Sequence, residues 1–238
     1  MNVIGLINAR GQSKGVPGKN IKLLDGVPLL NWTIHTAFKA KVFDSIVVST
    51  DDENIAKIAR LAGARIPFMR PAHLATDTSL QFETIYYVLK RLADNGEHYD
   101  AVAVLQPTCP LRSKDDILNC IKIMEKDNAD TVITVMDAYG ALMNTLYTRS
   151  KNGETKTLSK SEAKKGVLRQ DHQKIYQRTG GVYLIKTSTI LDEKKLYGSV
   201  LRSVVMDRSR SFDIDDMFDW SILEAWVTYH RIKEGHFS

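Results

Sequence analysis

The sequence predicts an α/β fold: a three-layer, doubly wound, mainly parallel sheet with helices on both faces. Three observations point there. Short apolar runs alternate with amphipathic stretches from residue 1 to residue 136, the pattern of strands joined by crossover helices. Most of the runs are continuously apolar, as strands covered on both faces require. The 238 residues are 43% hydrophobic and 26% charged, which suits one domain over 1–238 with a core large enough to need no covalent staple.

The expected strands are residues 3–7, 46–49, 65–69, 101–105, 131–136, 181–185 and 200–206. The helices fall between them. Residues 28–39 open with Pro28 at a first-turn position. Residues 51–61 carry acids in the first turn, with Ile55, Ile58, Ala59 and Ala62 on one face. Residues 80–93 place Ile85, Val88, Leu89 and Leu92 together. Ser113 is a natural N-cap for 114–125, followed by Asp115 and Asp116. The last helix, 217–233, packs with Trp220, Leu223, Trp226 and Val227, and Trp32 is read as core as well. Residues 138–178 break the rhythm. They are polar and lysine-rich, and from 149 to 178 nine bases face three acids. A structureless loop that long is unusual inside a domain, so this stretch is expected to be an inserted basic arm and a dimer contact; a surface loop is the competing reading.

Composition excludes several classes. No run approaches the roughly 18 apolar residues of a membrane helix. The amino terminus has no basic region or cleavage site, so no signal peptide is expected. Two cysteines, Cys109 and Cys120, form neither a disulfide framework nor a zinc site, which suits a reducing, cytoplasmic setting. The six histidines are scattered without ligand spacing. The net charge of +5 and pI of about 9.1 admit a nucleic acid, a membrane surface or an anionic small substrate as partner.

Chemistry concentrates in four places. Ala9-Arg10-Gly11-Gln12-Ser13-Lys14-Gly15-Val16-Pro17-Gly18-Lys19-Asn20 follows the first strand directly. Glycines there let backbone N–H groups approach a phosphate, and Arg and Lys supply the opposing charge. It is neither a Walker A loop nor a dinucleotide fingerprint. The plainer alternative is a solvated strand–helix connector. Phe212-Asp213-Ile214-Asp215-Asp216 precedes the last helix. In extended backbone Asp213 and Asp215 point the same way, a pair suited to Mg²⁺, although an acidic helix start is also simple capping. Gln106-Pro107-Thr108-Cys109-Pro110-Leu111-Arg112 makes a rigid turn at a strand end, from which Gln106 and Arg112 could reach a ligand, although taken alone a purely structural turn is the more expected role. Arg169-Gln170-Asp171, with His172 beside it, and Arg178-Thr179-Gly180-Gly181 return the chain from the arm to the sheet, with cations able to neutralise a carboxylate.

Together with Val48-Ser49-Thr50-Asp51, Arg70-Pro71-Ala72 and Asp77-Thr78-Ser79, these blocks resemble, in order and over essentially the whole chain, the N-acylneuraminate cytidylyltransferase (CMP-sialic acid synthetase) family, including its legionaminic-type bacterial branches. The resemblance implies a homodimeric, Mg²⁺-dependent enzyme that joins CTP to a sialic-type sugar acid and releases pyrophosphate, with no nucleic-acid or membrane partner. It implies that Arg10, Gly11, Lys14, Lys19 and Asn20 hold the nucleotide phosphates and ribose side, and that Arg70, Ser79 and Gln81 complete the nucleotide site. Gln106, Arg169 and Arg178 would meet the sugar acid, with Arg10, Lys14, Lys19 and Arg169 catalytic and Asp213 and Asp215 on the metal. The basic arm is similar to the family's dimerisation arm. Cys109 stands where serine is usual, Thr179 where asparagine is usual, and Leu80 and Gln81 where small hydroxyl residues are. Cytidylyltransferases of the eight-carbon acid 3-deoxy-manno-octulosonate share the fold but typically carry Thr-Arg where this chain has Lys14-Gly15. A basic nucleic-acid-binding protein is the reading from another class.

Overall fold

The computed structural model describes residues 1–138, 146–158 and 174–234. Six strands form one sheet: β1 (Val3–Asn8), β4 (Ser45–Ser49), β5 (Ala101–Val104), β6 (Thr131–Asp137), β9 (Tyr176–Lys186) and β10 (Leu201–Val205). Their spatial order is β10-β6-β9-β5-β1-β4. β1 pairs in parallel with both β4 and β5, and β10 with β6, while β9 runs antiparallel to β5 and β6. The sheet is therefore mixed and mostly parallel. Two short hairpins lie outside it, β2 (Leu23–Leu24) with β3 (Val27–Pro28), and β7 (Tyr147–Arg149) with β8 (Thr155–Thr157).

Alternation along each strand builds the layers. Val3 and Ile7 of β1, Ala101 and Ala103 of β5, and Val182 and Leu184 of β9 face helices α1 (Leu29–Ala40), α2 (Glu53–Leu61) and α4 (Lys114–Asp127) through Leu30, Ile34, Ile55, Ala59, Ile117 and Cys120. Ile4, Leu6, Val102, Val104 and Ile185 point the other way, to Ile85, Val88, Leu89 and Leu92 of α3 (Gln81–Asp94) and Ile190 of α5 (Thr187–Leu191). A third cluster joins Val16, Leu24 and Leu29 to Ile214, Trp220, Leu223 and Val227, seating α6 (Met217–Glu234) against the first loop.

The helix starts follow from capping chemistry. Ser113 Oγ accepts the Asp116 N–H at 3.2 Å and Asp116 Oδ2 accepts the Ser113 N–H at 2.8 Å, a reciprocal box. Asp52 caps α2 by accepting the Asn54 and Ile55 N–H groups. Trp220 is buried, whereas Trp32 and Trp226 are only half-buried.

Three expectations need correction. Residues 65–69 form no strand: a single bridge, Arg65 to Val47, marks where that segment touches the sheet edge. β10 is an edge strand, with Leu201, Arg202, Ser203 and Val205 exposed, so it is not covered on both faces. β9 begins at Tyr176, earlier than expected, because residues 176–178 pair with the end of β6. Of the arm expected over 138–178, residues 139–145 and 159–173, which include Arg169 and His172, lie outside the described residues. Among the described residues, no helix is long and apolar enough to cross a membrane.

Candidate active site

The carboxyl ends of β1, β4 and β5 and the amino end of the antiparallel β9 meet on one side of the sheet, where ligands bind in open α/β folds. A cleft of about 520 Å³ opens there. Of the residues singled out in the sequence, Arg10, Lys19, Asn20, Arg70, Ser79, Gln81, Gln106, Arg178, Asp213 and Asp215 line it. Gly11 and Lys14 stand beside it, and Arg169 lies outside the described residues.

The loop after β1 is held in shape by its own side chains. Asn20 Nδ2 donates to the Arg10 carbonyl at 2.9 Å, closing the loop across its base. The Gly11 N–H donates to Asp51 Oδ1 at 2.9 Å, and Val16 is fully buried as an anchor. Gly18 takes the left-handed conformation (φ 62°) that favours glycine, just before a single 3₁₀ turn. Gly15 is required for a different reason. A Cβ built there would stand 1.8 Å from the Asp215 carbonyl oxygen. The cationic loop and the Asp-Ile-Asp segment are thus in backbone contact. Lys19 seals the junction, its Nζ donating to the Ile214 carbonyl at 2.6 Å. Burial lowers the Lys19 pKa, and Asp215 and Asp213 oppose that shift by favouring its charge.

Capping in the acidic segment falls to Asp216 and Asp219. Asp216 Oδ1 accepts the Phe218 and Asp219 N–H groups, while Asp219 Oδ2 accepts those of Asp215 and Asp216. These two residues cap α6. Ile214 is buried between Asp213 and Asp215, whose exposed side chains both reach the cleft. Among the described residues neither carboxylate is drawn into a hydrogen bond or ion pair. Two free hard-oxygen donors on one side of an extended segment fit Mg²⁺, which takes one or two carboxylates and keeps waters and phosphate oxygens.

Arg70 is buried. Its Nε donates to Ser49 Oγ at 3.0 Å and its Nη2 to the Ser49 carbonyl at 2.5 Å and Asn8 Oδ1 at 3.3 Å. Burial pushes its pKa down to about 10, with Asp51 acting the other way, so it remains charged at neutral pH. Ser79 does two things: it lines the cleft and braces its own loop, its Oγ donating to the His73 carbonyl at 2.9 Å. On the opposite wall, Ile133 pairs Tyr183 whereas Val135 pairs Arg178, a bulge in β9. Gly180 and Gly181 sit in it, and a Cβ on Gly180 would stand 2.5 Å from Gln106 Oε1. The bulge therefore makes the space that Gln106 occupies. The Arg178 guanidinium lies 5.5 Å from the Tyr183 ring centroid and also bonds the Tyr197 hydroxyl.

Arg112 is not a ligand contact. It is fully buried and donates to the Gly181 carbonyl at 2.7 Å, to Thr33 Oγ1 at 2.8 Å and to the Gln106 carbonyl, tying the Gln106 turn to β9 and α1. Thr179, buried, turns its hydroxyl to Thr134 Oγ1 at 2.7 Å, into the sheet. Cys109 and Cys120 are buried, and desolvation raises both thiols, Cys109 to about 11, so neither is a poised nucleophile.

The sequence missed Asn8, Thr84 and Tyr183, all on the cleft wall. Asn8 Nδ2 is buried with no hydrogen-bond partner among the described residues, a donor left over once Arg70 has claimed Oδ1. Its position at the last residue of β1 was the available signal. Gln12 and Ser13 also line the cleft and went unassigned within the loop.

The chain is 31% identical over 97% of its length to CMP-N,N'-diacetyllegionaminic acid synthase of Legionella pneumophila, covering 98% of that protein. It is 30% identical over 92% of its length to N-acylneuraminate cytidylyltransferase of Escherichia coli, covering 51% of that longer protein. A solved structure of CMP:2-keto-3-deoxy-manno-octonic acid synthetase complexed with CTP superposes with a TM-score of 0.72 over 97% of this chain and all of that one, at 14% identity, a likeness of fold. The cytidylyltransferase family model matches residues 4–226. That span runs from the first strand, through every wall of the cleft, into the last helix, and the chain belongs to the cytidylyltransferase family.

Proposed function

We propose that the protein activates a nonulosonic, sialic-type acid: CTP and the sugar acid give the CMP-sugar and pyrophosphate. The observation that carries this reading is the backbone contact of Gly15 with Asp215, reinforced by Lys19 on Ile214. It sets a cationic loop against two free carboxylates, as a metal-bound triphosphate requires. In this reading Arg10, Lys14 and Lys19 stabilise charge developing on the phosphates and the departing pyrophosphate. Asn20 and Gly11 keep the loop in register. Arg70, Ser79 and Gln81 line the nucleoside side, while Gln106, Arg178 and, from outside the described residues, Arg169 face the sugar acid. The anomeric hydroxyl attacks the α-phosphate in line, and the protein's part is positioning and electrostatics, with no covalent intermediate. Asp213 and Asp215 would hold Mg²⁺, which when bound supplies charge neutralisation on the phosphate oxygens.

The full-length match to a legionaminic acid synthase and the shorter one to an N-acylneuraminate enzyme favour a nine-carbon acid over 3-deoxy-manno-octulosonate. A homodimer through the basic arm and a cytoplasmic location belong to the same proposal. The nucleic-acid reading is disfavoured because Arg10 and Lys14 are engaged with Asp77 on the cleft and are not spread over a face. The test is pyrophosphate release from CTP across neuraminic, legionaminic, pseudaminic and 3-deoxy-manno-octulosonic acids. Release with the nine-carbon acids is expected; none with any of them rejects the proposal. In the same assay Asp215→Asn is expected to raise the Mg²⁺ concentration needed for half-maximal rate by about tenfold or more, the scale of losing one charged ligand interaction. An unchanged metal titration removes Asp215 from the metal site.

A further inference from the structure

Arg10 and Lys14 converge on one carboxylate. Asp77 Oδ1 lies 2.9 Å from Arg10 Nη2, and Asp77 Oδ2 lies 2.6 Å from Lys14 Nζ. These are the distances at which the same nitrogens would hold phosphate oxygens. Asp77 also lines the cleft. It arrives there on a braced turn: Ser79 Oγ donates to the His73 carbonyl at 2.9 Å, accepts the Thr76 N–H at 3.1 Å and shares a hydrogen bond with Thr76 Oγ1 at 2.8 Å. Arg10 Nη1 donates to the Thr76 carbonyl at 2.8 Å, so the same turn aims the guanidinium whichever anion it meets. The Lys14 hydrogen bond, with Arg10 adding to it, holds the Asp77 carboxyl below the usual carboxylate range.

We propose that Asp77 is an internal stand-in for a nucleotide phosphate. It occupies the cations of the leading loop when no nucleotide is bound, is displaced by the triphosphate, and returns to compete with pyrophosphate for the same cations. The inference rests on assigning that loop to the phosphates. A carboxylate and a phosphate cannot share two cations without close like-charge contact. Asp77 therefore taxes polyanion affinity by the fraction of time that the clamp is closed. An exposed ion pair contributes little to stability, and Lys14 is 84% exposed, so the consequence of the contact lies in the occupancy of the cations.

The experiment is calorimetric titration of inorganic pyrophosphate, and separately of CTP with Mg²⁺, into the wild-type protein and into Asp77→Asn and Asp77→Ser. The variants are expected to bind pyrophosphate about threefold to tenfold more tightly, and pyrophosphate is expected to become a correspondingly stronger product inhibitor. Unchanged or weaker pyrophosphate binding in a folded variant overturns the proposal. Failure of both variants to fold also overturns it, by assigning Asp77 to the architecture of the loop. A wild-type protein that binds neither pyrophosphate nor CTP rejects the nucleotide reading itself, a result distinct from the other two.

Discussion

Arg10→Ala is expected to lower turnover by roughly 10²–10³, the scale of losing one preorganised charge donor. The expectation follows from how the side chain is held. One guanidinium nitrogen is fixed on the Thr76 carbonyl and another faces Asp77 across the cleft, so the donor costs little reorganisation when a phosphate replaces the carboxylate. The Arg10 side chain and its ion-pair partner are both partly exposed. Thermal stability is therefore expected to stay within a few degrees of wild type, the range for a surface substitution away from core, caps and backbone constraints. Steady-state kinetics with saturating CTP, alongside a melting curve, separates the two effects. Turnover at the wild-type level would remove Arg10 from the reaction.

Gly15→Ala is the second large effect, and its origin is steric. The added methyl would fall 1.8 Å from the Asp215 carbonyl oxygen, a distance that no side-chain rotation relieves because the obstacle is backbone. The loop and the acidic segment must separate by more than 1 Å. A misplacement of that size in a positioning-dominated reaction costs about 10²-fold. The loop anchor Val16 and Ile214 share the third apolar cluster, so separation also strains packing, by about 1–3 kcal/mol on the overpacking scale. Both catalytic rate and Mg²⁺ response are expected to fall together, while the circular dichroism of the sheet is retained. A variant with normal kcat and normal metal titration would show that the contact has no bearing on chemistry.

Local patterns made much of this molecule legible. Period-two alternation placed Asp213 and Asp215 on one side because the intervening Ile214 is apolar and becomes core. Ser113 was readable as a cap because the reciprocal partner, Asp116, lies only three residues away. What depended on distant partners was not readable. Apolar continuity cannot tell a parallel strand from an antiparallel one, so the reversal of β9 between β5 and β6 left no mark in the sequence. For Arg112 the turn sequence left a ligand contact and a structural role both open, and only distant partners decide for the structural one: three oxygens, two of them backbone carbonyls, satisfy it inside the core. Asp77 received no role of its own within the Asp77-Thr78-Ser79 block, since its partners Arg10 and Lys14 lie far earlier in the chain.

The bond from Lys19 to Ile214 joins residues 195 positions apart. During synthesis the amino-terminal strand, its glycine loop and the first helices emerge long before the segment that gives the loop its shape. A nascent chain arrested before residue 213 would carry every basic residue of the cradle and still lack the wall against which Gly15 and Lys19 close. The wall that closes the phosphate site is therefore supplied only once the chain has reached the Asp-Ile-Asp segment, long after the loop itself has been made.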